Sequence, residues 1–227
     1  MRLDLNTLLL VTVYVEAILG LLLLFAWVQN SQIYGIAWWG FAYLLRSGSI
    51  VLFGMYGTVP DLIAFDLANS LLLTAFAMIW MGARVYDARS VRPFALVAGA
   101  VAWLLISHTP FIVDSMNARS LISSGIITTY TWLAAYEFWR GRRESFVSRW
   151  PAIILLFAYG ALYLLHTPFT LILPWSSSNE IFASVWLTVV SFETLLFTIS
   201  IAFILLAMAK ERTEERSKKM VSRMYRL

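Results

Sequence analysis

Residues 5–28 read LNTLLLVTVYVEAILGLLLLFAWV, and the only charged side chain in that run is Glu16. At about 1.5 Å per residue in a helix, such a stretch crosses the roughly 30 Å of hydrocarbon in a bilayer. It is about twice the length of a signal-peptide core, and no small-residue cleavage site follows, so it reads as a permanent helix. Six further runs of similar character follow it: Tyr34 to Phe53, Leu62 to Gly82, Phe94 to Val113, Ser120 to Trp139, Pro151 to Leu173 and Ile181 to Ala209. The sequence therefore predicts an all-α polytopic membrane protein with about seven transmembrane helices. Composition points the same way. Of 227 residues, 60% are hydrophobic and 13% charged, with a mean hydropathy of +0.76, more apolar surface than a soluble globule can hide.

Charge placement sets the expected orientation, because Lys and Arg in short loops favour the cytoplasm. Arg84, Arg89 and Arg92 follow the third run, and Arg140, Arg142, Arg143 and Arg149 follow the fifth. The seventh run is followed by Lys210, Arg212, Arg216, Lys218, Lys219, Arg223 and Arg226, whereas the opposite loops hold Asp61, Asp114 and Glu180 against Arg119. With an odd number of helices the N-terminus is expected outside and the tail inside. The net charge of +4 is confined to these flanks and reads as a topology signal, with the lipid bilayer as partner and no nucleic acid.

The tetrapeptide His-Thr-Pro-Phe occurs at 108–111 and again at 166–169. Each copy precedes a short polar loop, an apolar run and a basic ending. The hairpin ending at Ala83-Arg84 has the same layout without the tetrapeptide, so the chain divides into one leading helix and three related hairpins. A proline within a helix removes a hydrogen bond and clashes with the carbonyl four residues back, which predicts kinks at Ile106 and Leu164.

Ionisable groups in hydrocarbon are costly and need a partner or a task. Glu16, Arg46, Asp66, His108, His166 and Glu193 all fall inside the runs, and helix direction places them in the outer half of the bundle as a ligand-binding or charge network. Arg46 is expected to pair with Glu16 or Asp66. Two imidazoles at matched depth on separate helices suit axial ligation of haem b, or a metal ion completed by Glu16, Asp66 or Glu193. Equally, a duplicated kinking motif would leave each His bonded to a neighbouring helix. Gly99, Gly125 and Gly160 read as points of close helix contact. Trp80, Trp103, Tyr159, Tyr163 and Trp186 read as core, or as the wall of a cavity.

Several functions are excluded. The chain has no cysteine, which removes thiolate chemistry, and its first lysine is Lys210, which removes an intramembrane Schiff base to retinal. No phosphate loop, nucleophile elbow or zinc-protease motif is present, and no catalytic domain is read in this chain.

The tail from Lys210 to Leu227 is rich in helix formers, and Met220, Met224 and Leu227 fall on one face at i, i+4 and i+7. This stripe reads as a coiled-coil seam of a homodimer, or as a solvated helix near anionic lipid. The architecture, with its exit helix Ala209-Lys210-Glu211-Arg212-Thr213-Glu214-Glu215-Arg216, resembles the N-terminal membrane sensor regions of bacterial diguanylate cyclases. That resemblance implies a sensory input module in the bacterial inner membrane, transmitting through Lys210 and the tail stripe to a cytoplasmic GGDEF output domain that makes cyclic di-GMP. The chain ends before a GGDEF signature, so no cyclase residue carries over. A haem-binding redox protein and a small transporter are the alternatives.

Overall fold

The computed structural model describes residues 5–113, 115–141, 147–172 and 180–224; within these, the side chains of residues 5, 6, 116, 117, 166–172, 180–190 and 223 lie outside the description. Seven α-helices run through the described residues: α1 (Leu5–Gln29), α2 (Tyr34–Gly54), α3 (Ala68–Tyr86), α4 (Pro93–Ser107), α5 (Met116–Arg140), α6 (Arg149–Ile172) and α7 (Glu180–Met224). A π-helical segment, Leu62–Leu67, leads directly into α3. No strand occurs among the described residues.

Turn chemistry accounts for several helix ends. Pro93 opens α4, where its missing N–H costs nothing. Ser115 caps α5, its Oγ accepting from the Ala118 N–H at 3.2 Å. The α4 helix stops at Ser107 and does not reach Val113 as the sequence predicted. A residue before proline is biased away from helical ψ, which favours ending the helix before Pro110. Pro110 therefore lies beyond the helix and kinks nothing. The carbonyl four residues before it, that of Ile106, accepts from the Thr109 N–H at 3.1 Å and from Thr109 Oγ1 at 2.8 Å. The second copy of the tetrapeptide behaves differently, because α6 continues through Pro168 to Ile172.

Four helical stretches among the described residues are long and apolar enough to cross a membrane: Thr7–Gln29, Tyr34–Gly54, Leu62–Tyr86 and Ser191–Ser222. Seven helices stand where about seven spans were expected, but α4 and the apolar part of α6 are shorter and α5 is more polar than the four that are long and apolar enough. In α1 large apolar side chains crowd the exposed face. Glu16 and Thr12 face the interior while Leu10, Ile18, Leu21 and Phe25 are exposed, as expected where the surroundings are themselves apolar.

The third helix is the hub, packing on α2, α4 and α5, while α1 packs on α2 and also meets α7. The hairpins foreseen from the repeat are unequal: α4 leans on α3 more than on α5, and α5 packs more closely on α6 than α6 does on α7. The core holds Trp39, Tyr43, Phe76, Trp103 and Phe138. Trp80 and Tyr159 join this core. Gly99 and Gly160 are close contacts, against Tyr130 and against Thr131 and Trp132. Gly125 is not, since a methyl group there meets open space. The tightest approach of α2 and α3 instead runs through Gly82, against the Trp39 indole, whose Nε1 donates to the Ile79 carbonyl at 3.2 Å.

Candidate functional site

The ionisable residues singled out in the sequence do not gather at one level; those with described contacts form two clusters. In the middle of the bundle Glu16 on α1 meets Arg46 on α2 at 2.7 Å, both almost wholly buried. Arg46 Nη2 also donates to Thr198 Oγ1 on α7 at 3.1 Å and to the Tyr159 hydroxyl on α6 at 3.4 Å. The Tyr43 hydroxyl donates to the Thr198 carbonyl at 2.8 Å. The guanidinium lies over the rings of Phe76 and Tyr43, 5.1 and 5.5 Å from their centroids. One ion pair thus ties α1, α2, α6 and α7 together. Yet Glu16 Oε2 and Arg46 Nε are buried without a hydrogen-bond partner. Most buried polar atoms are bonded, so the two exceptions mark an incompletely satisfied network.

The second cluster sits where the π-helical segment meets α4 and α5. Asp66 receives Arg119 at 2.6 Å on one carboxylate oxygen and His108 Nε2 at 3.3 Å on the other. The Arg119 guanidinium stacks 4.3 Å from the Phe65 centroid and 5.5 Å from that of Trp103. The π-helical turn disturbs the usual ladder, and side chains answer it: Asn69 Nδ2 donates to the Phe65 carbonyl at 2.9 Å and Ser49 Oγ to that of Ala68 at 2.8 Å. His108 Nδ1 lies 2.9 Å from the Leu104 carbonyl, one of those left free at the end of α4. A carbonyl only accepts, so that contact needs the tautomer with a proton on Nδ1.

His108 is therefore engaged with Asp66 and with its own helix end. The side chain of His166 and Leu227 lie outside the described residues. Among those described, no three ligating side chains gather to hold a metal ion. Glu193 is half-buried on α7, about a turn and a half before Thr198. Asp66 does not meet Arg46; its cation is Arg119, which the sequence reading assigned to a loop and which in fact points inward from α5. Arg119 stands one residue before the run predicted from Ser120, and it enters the bundle because α5 starts earlier, at Met116.

At the other end, arginines and carboxylates interlock. Glu137 binds Arg84 at 2.5 Å and also pairs with Arg89, and Asp87 binds Arg149 at 2.8 Å. Burial pushes the Asp87 carboxyl above its ordinary range, and Arg149, then Arg89 and Arg212, draw it back. The last helix joins this end: Glu211 accepts from Ser148 Oγ at 2.9 Å, Arg212 donates to the Tyr86 carbonyl, and Arg216 donates to the Gln32 carbonyl at 3.3 Å. Beyond it Lys210 and Lys219 make exposed i,i+4 pairs with Glu214 and Glu215, and Met220 and Met224 are 62% and 68% exposed.

No protein-family model, curated protein or solved structure compared with the chain matches it.

Proposed function

We propose that this chain is a membrane-embedded sensory input module with seven spans, its N-terminus outside and its tail in the cytoplasm, seated in a bacterial inner membrane. A change at the buried network shifts α7, and the tail carries that shift, as a homodimer, to an output domain such as a diguanylate cyclase. The observation that supports this reading is the bonding of the Glu16–Arg46 pair to Thr198 of α7. The same unbroken helix then passes the arginine-rich end and runs on to Met224. A network with an unused carboxylate oxygen and an unused guanidinium N–H has somewhere to go, and a signal needs two arrangements that a stimulus weighs differently.

The test is a fusion of the tail to a dimerisation reporter in the intact chain. Inserting one residue after Lys210 turns everything beyond it by about 100°. The reading expects such insertions, and Thr198→Val, to change output while the protein remains in the membrane. Output unaffected by all of them contradicts it.

A further inference from the structure

Between the α1–α2 turn, the end of α3 and α7 lies a cavity of about 290 Å³. Arg89, Arg212 and Arg216 line it, and no carboxylate does. Of these, Arg89 is neutralised by Glu137. Arg212 and Arg216 are held differently, each by a backbone carbonyl; neither makes an ion pair among the described residues, though Asp87, whose own ion pair is with Arg149, feels Arg212 at longer range. Arg212 is further steadied by stacking 4.5 Å from the Tyr86 ring centroid. The opposite wall is the start of α2, where Ile33 and Tyr34 line the cavity and no side chain caps the helix. The uncapped amides and the positive end of that helix dipole add to the same field. The third wall is the turn after α3, where Ala88 has a φ of 55°, the left-handed conformation glycine usually takes; this turn leads into Arg89, which lines the cavity.

From this lining we infer that the cavity binds a phosphate group carried on a larger molecule, either the headgroup of an anionic lipid or a soluble phosphate compound. Planar guanidinium groups bind phosphate oxygens in pairs, and the cavity exceeds what a bare phosphate fills. Ile33, Val85 and the Tyr86 ring supply an apolar side for the group attached to the phosphate. Once bound, the phosphate bridges α7 to the α1–α2 turn. Binding does not depend on the signalling reading; its consequence for the tail does.

The experiment takes the full chain in two arms. In the first, native mass spectrometry counts phosphatidylglycerol retained from mixed micelles, with phosphatidylcholine as reference. In the second, calorimetry titrates inorganic pyrophosphate. Each arm compares wild type with R212M/R216M and with K218Q/K219Q, which removes equal charge from the tail outside the cavity. R216Q, at an exposed position held by one hydrogen bond to the Gln32 carbonyl, guards against misfolding of the double variant. Retention or affinity in one arm should fall about tenfold or more in R212M/R216M and measurably in R216Q, in keeping with the loss of a charge-assisted hydrogen bond, and change little in K218Q/K219Q. The arm that responds names the source. Equal losses in both charge variants, or no binding in either arm, overturn the proposal. If binding holds but the tail reporter ignores it, the site stands and the signalling reading fails.

Discussion

Glu16 and Arg46 show what a buried charge costs and why it persists. Removing one partner of a buried pair leaves the other uncompensated, typically at about 3–5 kcal/mol, whereas replacing both with apolar groups is often neutral. Glu16→Gln is accordingly expected to lower the thermal unfolding midpoint in detergent sharply, and Glu16→Leu with Arg46→Met to recover most of the loss. A double variant as unstable as the sum of its singles would contradict the pairing. Packing gives a second contrast at this scale. A methyl group on Gly82 runs into the Trp39 indole, while on Gly125 it meets open space. Gly82→Ala is expected to destabilise by about 1–3 kcal/mol and Gly125→Ala to be near neutral, again read by thermal unfolding. The sequence named Arg46, Glu16 and Asp66 because charges stand out in apolar runs. It did not separate their partners, since choosing between Glu16 and Asp66 depends on helix rotation, and the Asp66 carboxylate is claimed by Arg119 and His108.

Individual elements divide into those set by local chemistry and those set by contacts. The long apolar runs of α1, α2 and α3 were legible because period and length alone specify them. The end of α4 was misjudged because hydropathy continues through residues 108–113 while the Thr109-Pro110 step stops the helix. The identical tetrapeptide inside α6 does not stop it, so the motif alone does not decide. The same short helix carries a device no pattern reveals. The Tyr130 hydroxyl donates to the Ala95 carbonyl at 2.8 Å and accepts from the Gly99 N–H at 2.9 Å, inserting itself into the α4 ladder. Gly99 makes this possible, since a Cβ there would lie 2.6 Å from the tyrosine ring. Tyr130→Phe is expected to leave α4 helical but less tightly held to α5, seen as faster amide hydrogen exchange at residues 95–99. Unchanged exchange would show that the inserted hydroxyl contributes nothing.

Among the described residues, the ion pairs that join helices cluster at three heights, and α7 takes part in two of them. It meets the Glu16–Arg46 pair through Thr198 and the arginine-rich end through Glu211, Arg212 and Arg216. The far cluster of Asp66, Arg119 and His108 holds α4 and α5 to the start of α3. The signalling account depends on the central contact being felt at the tail. With no cysteine in the chain, a single Met220→Cys substitution places one spin label on the exposed tail stripe of each protomer. Pulsed electron resonance in lipid nanodiscs then measures the distance between tails. The account expects a narrow short distance that shifts or broadens when Glu16→Gln is added. Superimposable distributions with and without that change, or no distance between protomers, would contradict it.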